Sequence, residues 1–468
     1  MKRNPQTILT ILAGLCFLTA CKNDPALFKK NDQSKDPSAK VTFYNANLQV
    51  KPAFKGLDHA FKKFIVNSEK ENTIYIAETG TEIKIPAHAF VDEKGQTIKG
   101  QVEIKYREFH DAAEIMLSGI PMYNPDNGSY MVSAGMYEIR GSQKGKTIEI
   151  DPEKKVAISM ASYREGDDYD FFVLGDKNGR WKTLSENDKP RVNLKRANAI
   201  DKLNRTPIEK PVEPVKLGSS KEFVFNFNVE KSAFPDLAVF NDVLWQFAGN
   251  ETDADHPEKN QKMFNSTWNQ VKLVAGQDCY QIKMSNAKDS FITRVKPLLK
   301  GKNFEKAKKQ FDSKLATYEK VKKAVEDQRM VFENQAQLNR SFEIGGFGVY
   351  NCDIWQNMPM TEPMVTEIEF PEGFEHLSAM KHTCYLINKS RSTVVPISSE
   401  KFKGLSLPKV DEFFMLVVLP ENKVGYMDSK AYYKIVNQKQ KKATIKIKIS
   451  DTKVVGLDDL KKIMSSFS

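Results

Sequence analysis

TIYIAETGTEIKIPAHAFVDEKGQTIKGQVEIKY, residues 73–106, contains three runs that decide the fold. In Thr73-Ile-Tyr-Ile76, Glu82-Ile-Lys-Ile85 and Gln101-Val-Glu-Ile-Lys-Tyr106, apolar residues alternate with polar ones. A period of two sends successive side chains to opposite faces of a strand, one face toward a core and one toward water. Gly80 and the Asp92-Glu-Lys-Gly95 segment separate the runs with residues suited to turns. Asn124-Pro-Asp-Asn-Gly128 and Asp176-Lys-Asn-Gly179 continue the punctuation. Further strands are expected at Ala134 to Arg140, Thr147 to Ile150, Val156 to Ser159 and Asp170 to Leu174. Short strands at this spacing predict a β-sandwich over 41–195.

Beyond it, Pro207, Pro211, Pro214 and Gly218 sit among charges and predict a linker over 196–220. Strands resume in a β-rich region, 221–300, and a long amphipathic helix is expected over 301–338, with Asn303 able to cap it. Phe304, Phe311, Tyr318, Val325 and Phe332 recur every seven residues, with Ala307, Leu315, Val321 and Ala336 on the same broad side. That stripe requires a partner surface, either the chain's own β domain or a coiled-coil mate. A β-rich C-terminal region follows over 339–468, closing with an amphipathic helix near Leu457 to Ser466 and either joined to 221–300 in one domain or separate from it. The expected class is mainly β and multidomain, with β-sandwich-like domains and one long inserted or bridging α-helix.

At the other end, Lys2 and Arg3 precede an apolar run from Ile8 to Leu18, then Leu18-Thr19-Ala20-Cys21. The run is too short to span roughly 30 Å of hydrocarbon. Positive start, apolar centre and small residues before a cut describe an export signal over 1–20. The segment resembles the bacterial lipobox. That resemblance implies cleavage after Ala20, a lipid on Cys21 and acylation of the new amino terminus. Several acyl chains, at about 0.8 kcal/mol per buried methylene, would make detachment negligible. Lys22 at the next position favours the outer membrane, on either its periplasmic or its surface-exposed side. Residues 21–40 are polar and read as a flexible tether.

The 468 residues carry 40% apolar and 28% charged side chains, suited to a water-soluble body of several domains. The net charge is +11, and loss of Lys2 and Arg3 with the signal leaves +9. No motif of a nucleic-acid reader accompanies that charge, so no nucleic-acid partner is expected. The lysine clusters at Lys300 to Lys323 and Lys434 to Lys448 read as solvated faces and lysine-edged strands, or as a surface near anionic lipid or glycan. Of five cysteines, Cys16 leaves with the signal and Cys21 takes lipid, leaving Cys279, Cys352 and Cys384. Cys352 and Cys384 lie in strand-like segments and are either bridged or buried free thiols. No spacing fits a zinc knuckle or a redox dithiol; no metal and no cofactor are expected.

The best polar cluster is Glu108, His110, Asp111 and Glu114. If the strand from Gln101 continues, Glu108 and His110 share a face, as a carboxylate–histidine pair or as a strand rim beside an acidic turn. The loop Glu251-Thr-Asp-Ala-Asp-His256 alternates oxygen ligands in the manner of a calcium loop but lacks the glycine and distal glutamate of that pattern. Ser378-Ala-Met-Lys381 and Ser398-Ser-Glu-Lys401 match the serine–lysine spacing of penicillin-binding enzymes without the companion motifs.

Gly80-Thr-Glu-Ile-Lys-Ile-Pro-Ala-His-Ala-Phe90 resembles the opening of the β-sandwich shared by ankyrins, zona-occludens proteins and netrin receptors. With Tyr106-Arg-Glu-Phe-His-Asp-Ala-Ala-Glu114 and Ser133-Ala-Gly-Met-Tyr-Glu-Ile139, the body is also similar to uncharacterised lipoproteins of the Bacteroidota. Either resemblance implies a scaffold or interaction module. The expectation is a membrane-anchored envelope component that is not a catalyst, with an envelope protein or glycan as partner. Its rivals are a hydrolase of glycan or peptide with a site at Glu108 and His110, and a subunit of an export or motility machine.

Overall fold

The computed structural model describes residues 52–123, 129–175, 180–205, 208–218, 223–227, 234–238, 243–260, 262–380, 382–410 and 412–467. The expected signal over 1–20, Cys21, the tether over 21–40 and the turns at 124–128 and 176–179 lie outside them, as do residues 239–242 of the expected β-rich region. The fold is mainly β, built of several largely antiparallel sheets and one long helix. Two compact units divide the described chain, one made of 52–198 with 332–467, the other inserted between them as Ala199–Val331.

The first unit contains the sandwich. One sheet runs, in spatial order, Lys62–Asn67, Gln101–Phe109, Tyr130–Gln143, Gly348–Gln356, Tyr169–Leu174 and Trp181–Asp188. The facing sheet runs Arg191–Val192, Leu338–Ile344, Val156–Ser162, Thr81–Ile85 and Asn72–Ile76. The alternation in the opening runs is realised: Ile74, Ile76, Ile83, Ile85, Val102, Ile104 and Tyr106 are buried in one shared core. Phe171 of the first sheet stacks on Phe342 of the second at 3.7 Å between ring centroids, which pins the sheets face to face. Each such fully buried side chain contributes about 1.5–3 kcal/mol of hydrophobic stabilisation.

Leu338–Ile344 and Gly348–Gln356, both from the region 339–468 and its edge, pair within the two sandwich sheets. The first pairs with Val156–Ser162 from Leu338 opposite Ser162 to Ile344 opposite Val156, and the second fills the slot between Tyr130–Gln143 and Tyr169–Leu174. Both sandwich sheets are therefore incomplete without residues that return from beyond the inserted unit. The rest of the C-terminal region forms a further five-stranded sheet in the order Thr393–Ser398, Thr383–Asn388, Phe413–Val418, Val424–Met427 and Lys448–Ile449. Tyr385, Ile387, Phe414 and Leu416 from one of its faces join a core with helices Ala112–Ser118 and Leu457–Ser465 and with Phe109, Met131 and Phe172 of the sandwich. Its other face holds Cys384, Leu386, Met415 and Val417 around Tyr432.

The inserted unit is a six-stranded sheet centred on Ser290–Leu299 and packed with the start of helix Gly301–Asn334. Trp245, Phe247, Ile282, Met284, Val295 and Ala307 form its core, with Phe304 against it. The helix begins two residues before Asn303, so Asn303 does not cap it. Of its expected stripe, Ala307, Val321 and Val325 are buried, whereas Phe304, Phe311, Leu315, Tyr318 and Phe332 are half-buried. Ala336 lies beyond the helix and is buried, its N–H donating to Thr79 O at 3.1 Å.

The first half of the expected linker is helical, over Leu194–Arg205. The Asn193 side-chain oxygen accepts from Arg196 N at 3.1 Å at the start of this helix, and Leu203 is buried. Lysines and arginines that read as linker are good helix formers once one side has something to cover. The boundary between units falls inside this helix and again inside Gly301–Asn334. Arg196 Nε donates to Phe332 O at 2.9 Å, joining the two ends of the first unit across the insertion.

Candidate functional site

Strand Gln101–Phe109 carries Tyr106 and Glu108 to the sandwich end, and His110 follows on the same side. Tyr106 Oη donates to Glu108 Oε1 at 2.9 Å, and His110 Nε2 lies 3.0 Å from Glu108 Oε2. Three residues spaced by two thus form one chain of hydrogen bonds. The structure brings all four expected residues together. Asp111 Oδ1 accepts from Ala113 N at 2.9 Å and Glu114 N at 3.0 Å and so caps helix Ala112–Ser118. Glu114 Oε2 accepts from His110 N at 2.7 Å. An aspartate followed three residues later by a glutamate is the reciprocal pattern of helix starts, here reaching one residue further back.

Three further residues complete the cluster. Lys461, from the closing helix, lies 2.8 Å from Asp111 Oδ2 and 2.7 Å from Glu114 Oε1. The Tyr163 ring meets His110 edge-on at 5.1 Å. Gly135 lies close behind the imidazole: a Cβ there would come within 3.4 Å of His110 Nδ1. Tyr106 was within reach of the same alternation argument that paired Glu108 with His110. Lys461 and Tyr163 are distant in sequence and carry no local signal.

Burial and charge oppose each other here. Burial raises the Glu108 pKa, but the hydrogen bond and charge of His110, with help from the Thr79 and Thr81 hydroxyls, hold it below its ordinary range. Burial lowers the His110 pKa, and the Glu108 hydrogen bond and the charges of Glu108, Glu114 and Asp111 override it and raise it. Both shifts favour the ion pair. A general acid or base requires a proton free to move to a substrate, at a carboxylate or imidazole that a substrate can reach. Glu108 is only 7% exposed, with both oxygens engaged inside the protein.

Strand residues on the opposite face serve a similar structural end. Arg107 binds Glu138 Oε2 through Nε at 2.7 Å and Nη2 at 2.6 Å, and its Nη1 reaches Asp58 at 2.7 Å and His59 O at 2.6 Å. Arg140 Nε donates to Glu138 Oε1 at 2.6 Å. Phe61 lies against both guanidinium groups, 4.2 Å from that of Arg107 and 5.1 Å from that of Arg140. These contacts fasten residues 58–61 to the sheet. A groove of about 590 Å³ opens beside them, with Phe61, Ile65, Lys105, Arg140 and Phe347 in its lining; none of Glu108, His110, Asp111 or Glu114 lines it.

The other candidates resolve individually. Cys352 and Cys384 are both wholly buried, in different cores: Cys352 in that of the sandwich and Cys384 in that of the C-terminal region. Burial pushes the Cys384 thiol up to about 12. Cys279 is also buried. In the loop before His256, Asp255 meets Arg294 at 2.7 Å and 2.9 Å and Asp253 meets it at 2.5 Å. A guanidinium already supplies the positive charge that a calcium ion would bring. Lys381 and the Lys401 side chain lie outside the described residues. Among the described residues, no group of three or more His, Cys, Asp or Glu side chains is arranged to hold a metal ion, and no helix is long and apolar enough to cross a membrane.

Comparison with protein-family models, with curated proteins and with solved structures finds no match for this chain.

Proposed function

We propose that the protein is a lipid-anchored component of the bacterial envelope, held on the outer membrane through Cys21, and that its body is a structural or interaction module without catalytic chemistry. The supporting observation for a non-catalytic body is the enclosure of the Glu108–His110 pair. A hydrolase needs its carboxylate and histidine to converge on a concave space open to substrate. Here the Glu108 oxygens are taken up by Tyr106 and by His110 Nε2, and the His110 backbone N–H donates to Glu114 at the helix start. The anchor rests on the positive start, the short apolar run and Leu18-Thr19-Ala20-Cys21. The two strands that return after one long excursion complete the sandwich, giving such a tether a body assembled from both sides of the insertion.

Replacement Cys21→Ala tests the anchor. After a wash in high salt, the wild-type chain is expected in the membrane fraction and the variant in the soluble fraction. Equal partitioning of both would remove the lipid anchor and with it the proposed role.

A further inference from the structure

Helix Ser429–Val436 and the turn that follows it carry a concentration of exposed lysines. Lys430, Tyr433 and Lys434 are exposed on the helix, at the spacing that places side chains together on one side, and Tyr433 is 51% exposed. Past the helix, Gln440 Nε2 folds back onto Ile435 O, and exposed Lys439, Lys441 and Lys442 gather near the same end. Neighbouring lysines behave differently: Lys446 meets Glu369 at 3.5 Å and Lys448 meets Asp428 at 2.8 Å. Among the described residues, Lys430, Lys434, Lys439, Lys441 and Lys442 form no ion pair with a carboxylate. Asp428, whose carboxylate feels the charge of Lys430, already holds Lys448 and caps the helix at Ala431 N. Glu367 and Glu369 are exposed acids on the neighbouring strand, in register with Thr444 and Lys446.

Protection of a sheet edge accounts for lysines along the strand Lys442–Lys446. It does not account for two more on the helix with an exposed tyrosine between them. Lysines around an aromatic ring match the chemistry of a bilayer surface, where the cations meet phosphate headgroups and the ring sits at the interface. We infer that Lys430, Tyr433, Lys434, Lys439, Lys441 and Lys442 form a docking face for an anionic phospholipid surface. The inference deepens the membrane reading given above and adds a second, reversible contact to the covalent anchor.

The test uses the full chain carrying Cys21→Ala, so that no acyl chain contributes, and sedimentation with vesicles of phosphatidylcholine with or without phosphatidylglycerol. Binding is expected only with the anionic lipid and is expected to weaken steeply with salt. Changing the five lysines to Gln should reduce it on the order of a thousandfold or more at low salt. A control with Lys300, Lys302, Lys309, Lys320 and Lys323 changed to Gln removes the same charge from the long helix and the residue before it, and should retain most of the binding. Equal loss in both variants, or equal binding to phosphatidylcholine alone, would overturn the docking face. An acylated five-lysine variant that still sediments with membranes after a salt wash would leave the anchor intact, so the two proposals fail separately.

Discussion

His110 and Glu108 are each drawn two ways, and the balance predicts how stability follows pH. Glu108, with its pKa below the ordinary 4.5, stabilises the fold above that value, and the contribution is lost as pH falls through the lowered one. His110, raised above 6.5, stabilises the fold fully below 6.5, and the contribution is lost as pH rises through the raised value. The pair is therefore strongest between about 4.5 and 6.5. Glu108→Gln should lower the unfolding free energy by about 3 kcal/mol in that window, because it leaves a buried cation without its partner. Urea titrations over a pH series measure this, and an unchanged profile would contradict a structural role. Asp353 behaves in the opposite sense. Burial raises its pKa to about 8 against the Ser133 and Asn351 hydrogen bonds and the Arg164 charge. The unfolded chain gives up this proton near 3.8, so stability declines as pH rises from there toward 8. Asp353→Asn should flatten that decline; the same titration checks it, and a decline as steep as in the wild type would count against a buried acid.

At the level of elements, period and punctuation carried most of the information. The strands at 73–76, 82–85 and 101–106 each occur within three residues of their expected ends, because a half-buried strand writes its alternation directly into the sequence. The helix Ala112–Ser118 was not foreseen, although Asp111 and Glu114 mark its start. Its residues are almost all buried, so it lacks the polar face that makes a helix visible by periodicity. Leu194–Arg205 was missed for the reverse reason, since only Leu203 is buried and charge dominates its composition. Asp111→Ala removes the cap and one partner of Lys461 and should cost about 1 kcal/mol. Thermal unfolding of the variant measures it, and a midpoint equal to wild type would show that the helix start depends on packing alone. Glu108 and His110 were legible as neighbours because they sit two apart; their enclosure was not, since Thr79, Thr81 and Tyr163 arrive from other strands and turns.

Over the whole molecule, the decisive feature is the return of residues 338–356 to complete both sheets of the sandwich after an excursion through Ala199–Val331. Local patterns identify strands but not their neighbours, so the sequence left two groupings of 339–468 open and the structure joins that region to 52–198. Such long-range pairing makes the first unit depend on segments from both sides of the insertion. The proposed place of that body on a bilayer depends on Cys21, which lies outside the described residues. Intact mass of the native protein, extracted from membranes without protease, decides the matter. A chain beginning at Cys21 and carrying diacylglycerol and acyl mass is expected; a chain that begins elsewhere, or has no added lipid, would contradict the envelope role.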